Sequence, residues 1–143
     1  MKLLFALLSG ILLLIEPGTT NPSRTTESGL TIVQLDRAPQ LVSQTGDFVY
    51  VLYTGKLDDG TVFDSSDKRP DNAEAPTPLI FQLGKGVVIK GFEEGMLGMS
   101  VGDRRRLIIP AALGYGDRRT GPIPPDSRLT FEVELVRLSR PAK

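Results

Sequence analysis

The residues of this 143-residue chain that could form a site are Tyr53, Phe63, Ile89, Phe92, Tyr115, Ile123 and Phe131. Taken singly, each reads first as core. Tyr115 is the exception, because it lies between two glycines in a loop, a poor place for a packing anchor. Asp64 follows Phe63 directly in an apolar neighbourhood, so its carboxylate needs a partner such as a Tyr hydroxyl or an Arg. Classical catalysis fits badly. With no His and no Cys there is no Ser-His or Cys-His pair, and the commonest general base and metal ligand are missing. Glu93 and Glu94 are adjacent on a helix and cannot converge on one atom, so they read as a solvated face. Gly84-Lys85-Gly86 lacks the spacing of a phosphate loop, and Asp58, Asp59 and Asp64 lack the spacing of a calcium loop. All of these read as turn residues. No metal or cofactor is expected.

The elements that must position these residues are mostly strands. The central stretch runs from Val87 to Gly98, where an apolar run meets a short amphipathic helix. Phe92 and Met96 share one side of it, Glu93 and Glu94 occupy its first turn, and Gly98 is placed as a left-handed stop. So short a helix is unstable alone and must lie against a sheet. Strands are expected at Gly29–Leu35, Phe48–Gly55, Thr61–Ser66, Leu79–Leu83, Arg104–Ile109 (Leu107 and Ile109 inward) and from Leu129, where Leu129, Phe131, Val133 and Leu135 alternate with polar residues. Phe48–Gly55 is apolar on both faces and should be central. Arg37–Gly46 reads as a connection, Asp67–Pro78 as an exposed loop and Pro110–Pro125 as a long loop. The fold class is α+β: a curved antiparallel sheet of five to six strands wrapped around one short helix.

Charge is balanced, with 17 basic and 17 acidic residues, so no nucleic-acid or membrane-surface footprint is visible. Met1-Lys2 precedes an apolar run from Leu3 to Ile15, and Pro17, Gly18, Thr19 and Thr20 follow. This reads as a cleaved secretory signal over residues 1–20, because the run is shorter than the roughly 20 residues of a membrane span. Residues 21–28 then read as a flexible leader, 29–139 as one domain and 140–143 as a tail. No stable membrane anchor is expected after cleavage. Without Cys there is no disulfide framework, so an exported domain must depend on its core.

Several blocks together resemble one family. They are Tyr53-Thr54-Gly55, Asp59-Gly60, Phe63-Asp64-Ser65-Ser66, Leu83-Gly84, Val88 to Gly95, Gly114-Tyr115-Gly116, Ile123-Pro124-Pro125 and Leu129 to Leu135. They occur in the order of an FKBP-type peptidyl-prolyl cis/trans isomerase of the secreted single-domain type, over roughly residues 29–138. The resemblance implies an FKBP-like half-barrel antiparallel sheet around the short helix, with a shallow apolar pocket between them. Phe92 would be its floor, and Tyr53, Phe63, Val88, Ile89 and Phe131 its walls. Tyr115 would offer its hydroxyl, and Ile89 its backbone N–H, to a substrate carbonyl. Asp64 would sit at the rim linked to Tyr53, and Ile123 would overhang the site. Three departures stand out. The floor is Phe92 where many members have Trp. A wall position often filled by Phe is Leu79. The loop from Asp117 to Pro122 is about one residue shorter than in the smallest cytosolic members.

The resemblance further implies proline-containing polypeptide substrates with an apolar residue before Pro, rapamycin-type macrolide inhibitors, no nucleic-acid partner and a monomer, with the protein exported to a periplasm, the exterior or a lumen. Two other readings share the fold: a non-catalytic binding module or holdase, and a partner-regulating scaffold in which the Asp67–Pro78 loop gives specificity.

Overall fold

The computed structural model describes residues 22–36, 41–67 and 76–143. The expected secretory signal, residues 37–40 of the first connection and residues 68–75 of the expected exposed loop lie outside the described residues. The strands are β1 (Ser23–Thr25), β2 (Thr31–Asp36), β3 (Phe48–Lys56), β4 (Val62–Ser65), β5 (Leu79–Gln82), β6 (Arg104–Ile109) and β7 (Leu129–Ser139). One helix, α1 (Lys90–Gly95), lies between β5 and β6, and a 3-10 turn covers Ala111–Leu113. Six strands fall where apolar alternation places them. The seventh, β1, lies in what reads as a flexible leader. Its residues are polar and exposed, and pairing to β2 alone orders them, with Arg24 opposite Ile32.

All pairings in the sheet are antiparallel, in the order β1-β2-β6-β7-β3. The far edge of β3 is shared: β5 pairs with Phe48–Val51 and β4 with Thr54–Lys56. β3 is therefore central, as its two apolar faces require. A register shift between Tyr50 and Val51 against β7 marks a bulge, a device that increases twist and bends a strand. The sheet's buried face carries Val49, Val51, Phe81, Leu107, Ile109, Leu129, Val133 and Leu135, and the space is filled by Phe92 of α1 and by Met96 in the turn that follows it.

Close approach of α1 to the sheet depends on small residues. A Cβ on Gly95 would stand 2.4 Å from Leu107 Cδ1, so the sheet-facing residue there can have no side chain. The helix proper ends at Gly95, residues 96–98 continue as a turn, and Gly98 is left-handed at φ +71°. The chain turns there because Ser43 intervenes. Its hydroxyl donates to Met96 O and accepts from Met99 N–H, and its carbonyl accepts from Gly98 N–H.

The two helix carboxylates do not form the solvated face expected of them. Both are partly buried and bonded. Glu94 accepts from Ser28 Oγ at 2.8 and 2.7 Å, and Glu93 Oε1 accepts from the backbone N–H groups of Gly84 and Gly86. Tertiary placement of two loops overrides the simple rule that charges on a short helix face water.

The presumed tail also begins with an anchor. Arg140 grips Asp47 through Nε–Oδ1 and Nη2–Oδ2, each 2.8 Å, and donates to Val42 O. The Asp47 side chain is 1% exposed. Its hydrogen bonds to Arg140 hold its pKa below the ordinary 3.8, against burial that opposes them. A depressed carboxylate pKa adds stability that is present above the unfolded-state value and is lost as pH falls through the folded one. Arg140→Ala should therefore lower the thermal midpoint at pH 7, and the gap to the parent should narrow as pH falls below the ordinary carboxylate value of 3.8. Parallel melts across that range check this. A gap that stays constant with pH would assign the effect to lost packing of the Arg stem.

Candidate functional site

Phe92 is 3% exposed and sits beneath an open cleft of about 520 Å³. Its ring meets Phe131 edge-on at 5.1 Å and 87°, and Tyr53 edge-on at 5.8 Å and 87°. Phe63 meets Phe131 edge-on at 5.4 Å. These T-shaped arrangements put the positive edge of one ring on the negative face of the next, each adding roughly 0.5–1.5 kcal/mol beyond burial. The strands explain the convergence. Tyr53 and Gly55 follow Val51 at every second position on the inward face of β3, and Gly55 pairs with Phe131 of β7. A Cβ on Gly55 would lie 2.6 Å from Phe63 and 2.7 Å from Phe131, so only glycine admits both rings.

All ten site residues expected from sequence line this one cleft: Tyr53, Phe63, Asp64, Leu79, Val88, Ile89, Phe92, Tyr115, Ile123 and Phe131. Its lining also includes Gly86, Val87, Thr120, Gly121 and Pro122, which were not among the expected site residues. Val87 belongs to the same apolar run as Val88, the one sequence signal that could have found it, and is 64% exposed at the cleft edge.

The upper lip is a tight hairpin. Thr120 N–H donates to Ile123 O at 3.0 Å, and Ile123 N–H donates back to Thr120 O at 2.9 Å. Gly121, at φ +53°, and Pro122 form its tip. The short loop thus still supplies a lip, and Ile123 is buried beneath it.

Polar groups at the rim are few. Tyr53 Oη donates to Asp64 Oδ2 at 2.8 Å, and Asp64 Oδ1 accepts from Ser65 N–H at 2.9 Å. Burial pushes the Tyr53 pKa well above the ordinary 10, and the Asp64 carboxylate pushes it further. Burial raises Tyr115 too, with the Asp64 charge adding to the effect. Both phenols are therefore protonated donors at neutral pH. Tyr53 is committed to Asp64. Among the described residues, no hydrogen bond engages the Tyr115 hydroxyl or the Ile89 N–H. The site thus combines an apolar floor, apolar walls and two open donors. Among the described residues, no group of three or more His, Cys, Asp or Glu is placed to hold a metal ion.

The family profile FKBP_C, described as FKBP-type peptidyl-prolyl cis-trans isomerase, matches residues 41–136. The chain is 48% identical over 108 residues to peptidyl-prolyl cis-trans isomerase FKBP2 of Homo sapiens, covering 75% of this chain and 71% of that one. It is 46% identical over 114 residues to FK506-binding protein 2 of Debaryomyces hansenii, covering 80% and 79%. Among solved structures it resembles AtFKBP13 (TM-score 0.71, 34% identity, 81% of this chain and 98% of that one). It also resembles FkpA from Escherichia coli (TM-score 0.72, 34% identity, 82% of this chain and 52% of that one).

Proposed function

The chain belongs to the family of FKBP-type peptidyl-prolyl cis-trans isomerases, and from that premise we propose that the cleft over Phe92 is where it rotates X–Pro bonds of exported proteins. The observation that carries this reading is the meeting of all ten expected residues at one apolar cleft with two open donors.

The physics suits such a site. Rotation about a peptide bond faces a barrier of about 18–20 kcal/mol, set by resonance. Resonance makes the planar amide carbonyl strongly polar, and water solvates that charge separation. The twisted amide has lost much of it. A prolyl ring held over Phe92, between Tyr53, Phe63 and Phe131, leaves water behind, and the planar state loses more by this than the twisted one. Val88, Ile89, Leu79 and Ile123 complete the apolar enclosure. Tyr115 Oη and Ile89 N–H hold the substrate carbonyls. Asp64 orients Tyr53 and fixes the edge of the wall. About 5 kcal/mol of differential stabilisation corresponds to nearly four orders of magnitude in rate. No acid, base, nucleophile or cofactor takes part in this scheme.

The substrates proposed are proline-containing polypeptides with an apolar residue before Pro. The Debaryomyces hansenii relative bears the name FK506-binding protein, which supports a cleft that also accepts macrolides of that type and of the rapamycin type. The Met1–Thr20 stretch supports export to a periplasm, the exterior or a lumen, with the mature protein a folding assistant and a monomer.

The test is exchange of an Ala-Leu-Pro-Phe peptide with and without rapamycin. Acceleration abolished by the drug supports both catalysis and pocket, whereas a folded sample without acceleration points to a binding module. Asp64→Leu should lower kcat/KM about tenfold, by unseating Tyr53 through loss of a charge-assisted hydrogen bond. Asp64 is exposed, so the melting midpoint should stay within about 3 °C. Unchanged turnover would remove Asp64 from the site.

A further inference from the structure

The cleft wall formed by Gly86, Val87 and Val88 belongs to a segment, residues 84–88, that is outside every strand and helix. Before it, Leu83 is anchored, with its N–H on Asp47 O and its carbonyl accepting from Gly46 N–H. After it, Ile89 begins the helix, its carbonyl accepting from Phe92 and Glu93 N–H. Between these anchors, among the described residues, the segment makes only two hydrogen bonds. Gly84 N–H donates to Glu93 Oε1 at 2.5 Å, and Gly86 N–H donates to the same oxygen at a longer 3.4 Å. One carboxylate oxygen on α1 is thus the sole polar tether of the wall.

We infer that Glu93 is a positioning residue for the isomerase reaction, setting the wall at Val87–Val88 and the direction of the Ile89 N–H through its bond to the Gly84–Gly86 turn. The inference rests on the cleft being the site of catalysis. Glu93 does not line the cleft itself. It works by reach. Its side chain spans from the first turn of α1 back to the turn that precedes it, and that length is what holds the segment closed. Val87 is largely exposed and gains little from packing, so nothing apolar replaces the tether at that residue. Glu94, one position on, points to a different loop and bonds Ser28, which makes it an internal control.

Reach and charge can be separated with two conservative variants. Glu93→Gln keeps the acceptor oxygen and the length but loses the charge. Glu93→Asp keeps the charge but withdraws it by one methylene. The tether predicts that Glu93→Gln stays within about twofold of the parent kcat/KM, because displacement of a positioned group, not loss of charge, carries the cost. Glu93→Asp should fall about tenfold, since misplacement by about 1 Å can cost up to a hundredfold. Amide exchange at Gly86–Ile89 should speed up in Glu93→Asp, with exchange in β3 and β7 unchanged. Glu94→Ala should leave kcat/KM as it is.

The reverse order, an impaired Glu93→Gln and an active Glu93→Asp, would overturn the inference in favour of a purely electrostatic effect. Equal activity of both with the parent would overturn it outright. So would an equal loss in Glu94→Ala, which would assign the effect to helix stability. An inactive parent protein would instead count against the isomerase site itself, and the parent assay reads that separately.

Discussion

Arg105→Leu should strongly destabilise this fold, lowering the unfolding free energy by about 3–4 kcal/mol and the melting midpoint by about 15 °C. Arg105 is 6% exposed on the inward face of β6, within an otherwise apolar core. Its guanidinium gathers the carbonyls that close α1: Nη1 donates to Gly95 O at 2.9 Å and to Leu97 O at 2.6 Å, and Nη2 to Gly98 O at 3.0 Å. Nε donates to Gln34 Oε1 at 2.9 Å. The last carbonyls of a helix have no partner within it and carry the negative end of its dipole, so a cation there both satisfies and attracts them. Leucine fills similar volume but leaves those acceptors unmatched, at roughly 1–3 kcal/mol for each that water fails to reach. The helix holds Phe92 in place, so activity should fall together with stability. Arg105→Lys should recover part of the loss by restoring a charge without the planar fork. Thermal melts and denaturant curves on the three proteins check this, and a midpoint within 2 °C of the parent for Arg105→Leu would show that water replaces the guanidinium at little cost.

Phe92→Ala should have the largest effect on turnover, lowering kcat/KM about a hundredfold, equivalent to about 2.7 kcal/mol of transition-state stabilisation. It removes the floor and three aromatic contacts, those to Tyr53, Phe81 and Phe131. Stability should also fall, by about 3–5 kcal/mol, so activity must be measured well below the melting midpoint. Phe92→Leu separates the two losses. It keeps an apolar residue under the cleft at a stability cost below about 1.5 kcal/mol, but offers no flat face to a prolyl ring, and kcat/KM should fall about tenfold. If Phe92→Leu turned over like the parent, the floor would act through dryness alone and its aromatic face would be irrelevant.

Much of this was legible in the amino-acid order. Alternation in Leu129–Leu135 and the apolar density of Phe48–Gly55 identify β7 and β3 because a half-buried strand must repeat every two residues. Two site side chains were legible for another reason: an aromatic in a glycine-flanked loop (Tyr115) and a carboxylate beside Phe63 (Asp64) serve packing poorly, whereas the rest of the cleft was named through the family resemblance. Arg105 shows what was missed. The same alternation that turns Leu107 and Ile109 inward turns Arg105 inward too, but only the two apolar residues were assigned to the core. Glu93 and Glu94 were misread as charges with nothing to hold.

What the sequence determined by itself was six of the seven strands and the short helix, because periodicity is a property of neighbouring residues, while the side chains of the cleft were named through the resemblance to a family. What only the tertiary structure decided was where the polar groups go. Arg105 closes the helix, Glu93 ties the wall, Arg140 grips Asp47 across 93 residues of chain, and Thr120 and Ile123 close the lip. A buried or half-buried polar group must find a partner, and that partner is set by which loops the fold brings within hydrogen-bond reach, at distances along the chain that no local pattern records.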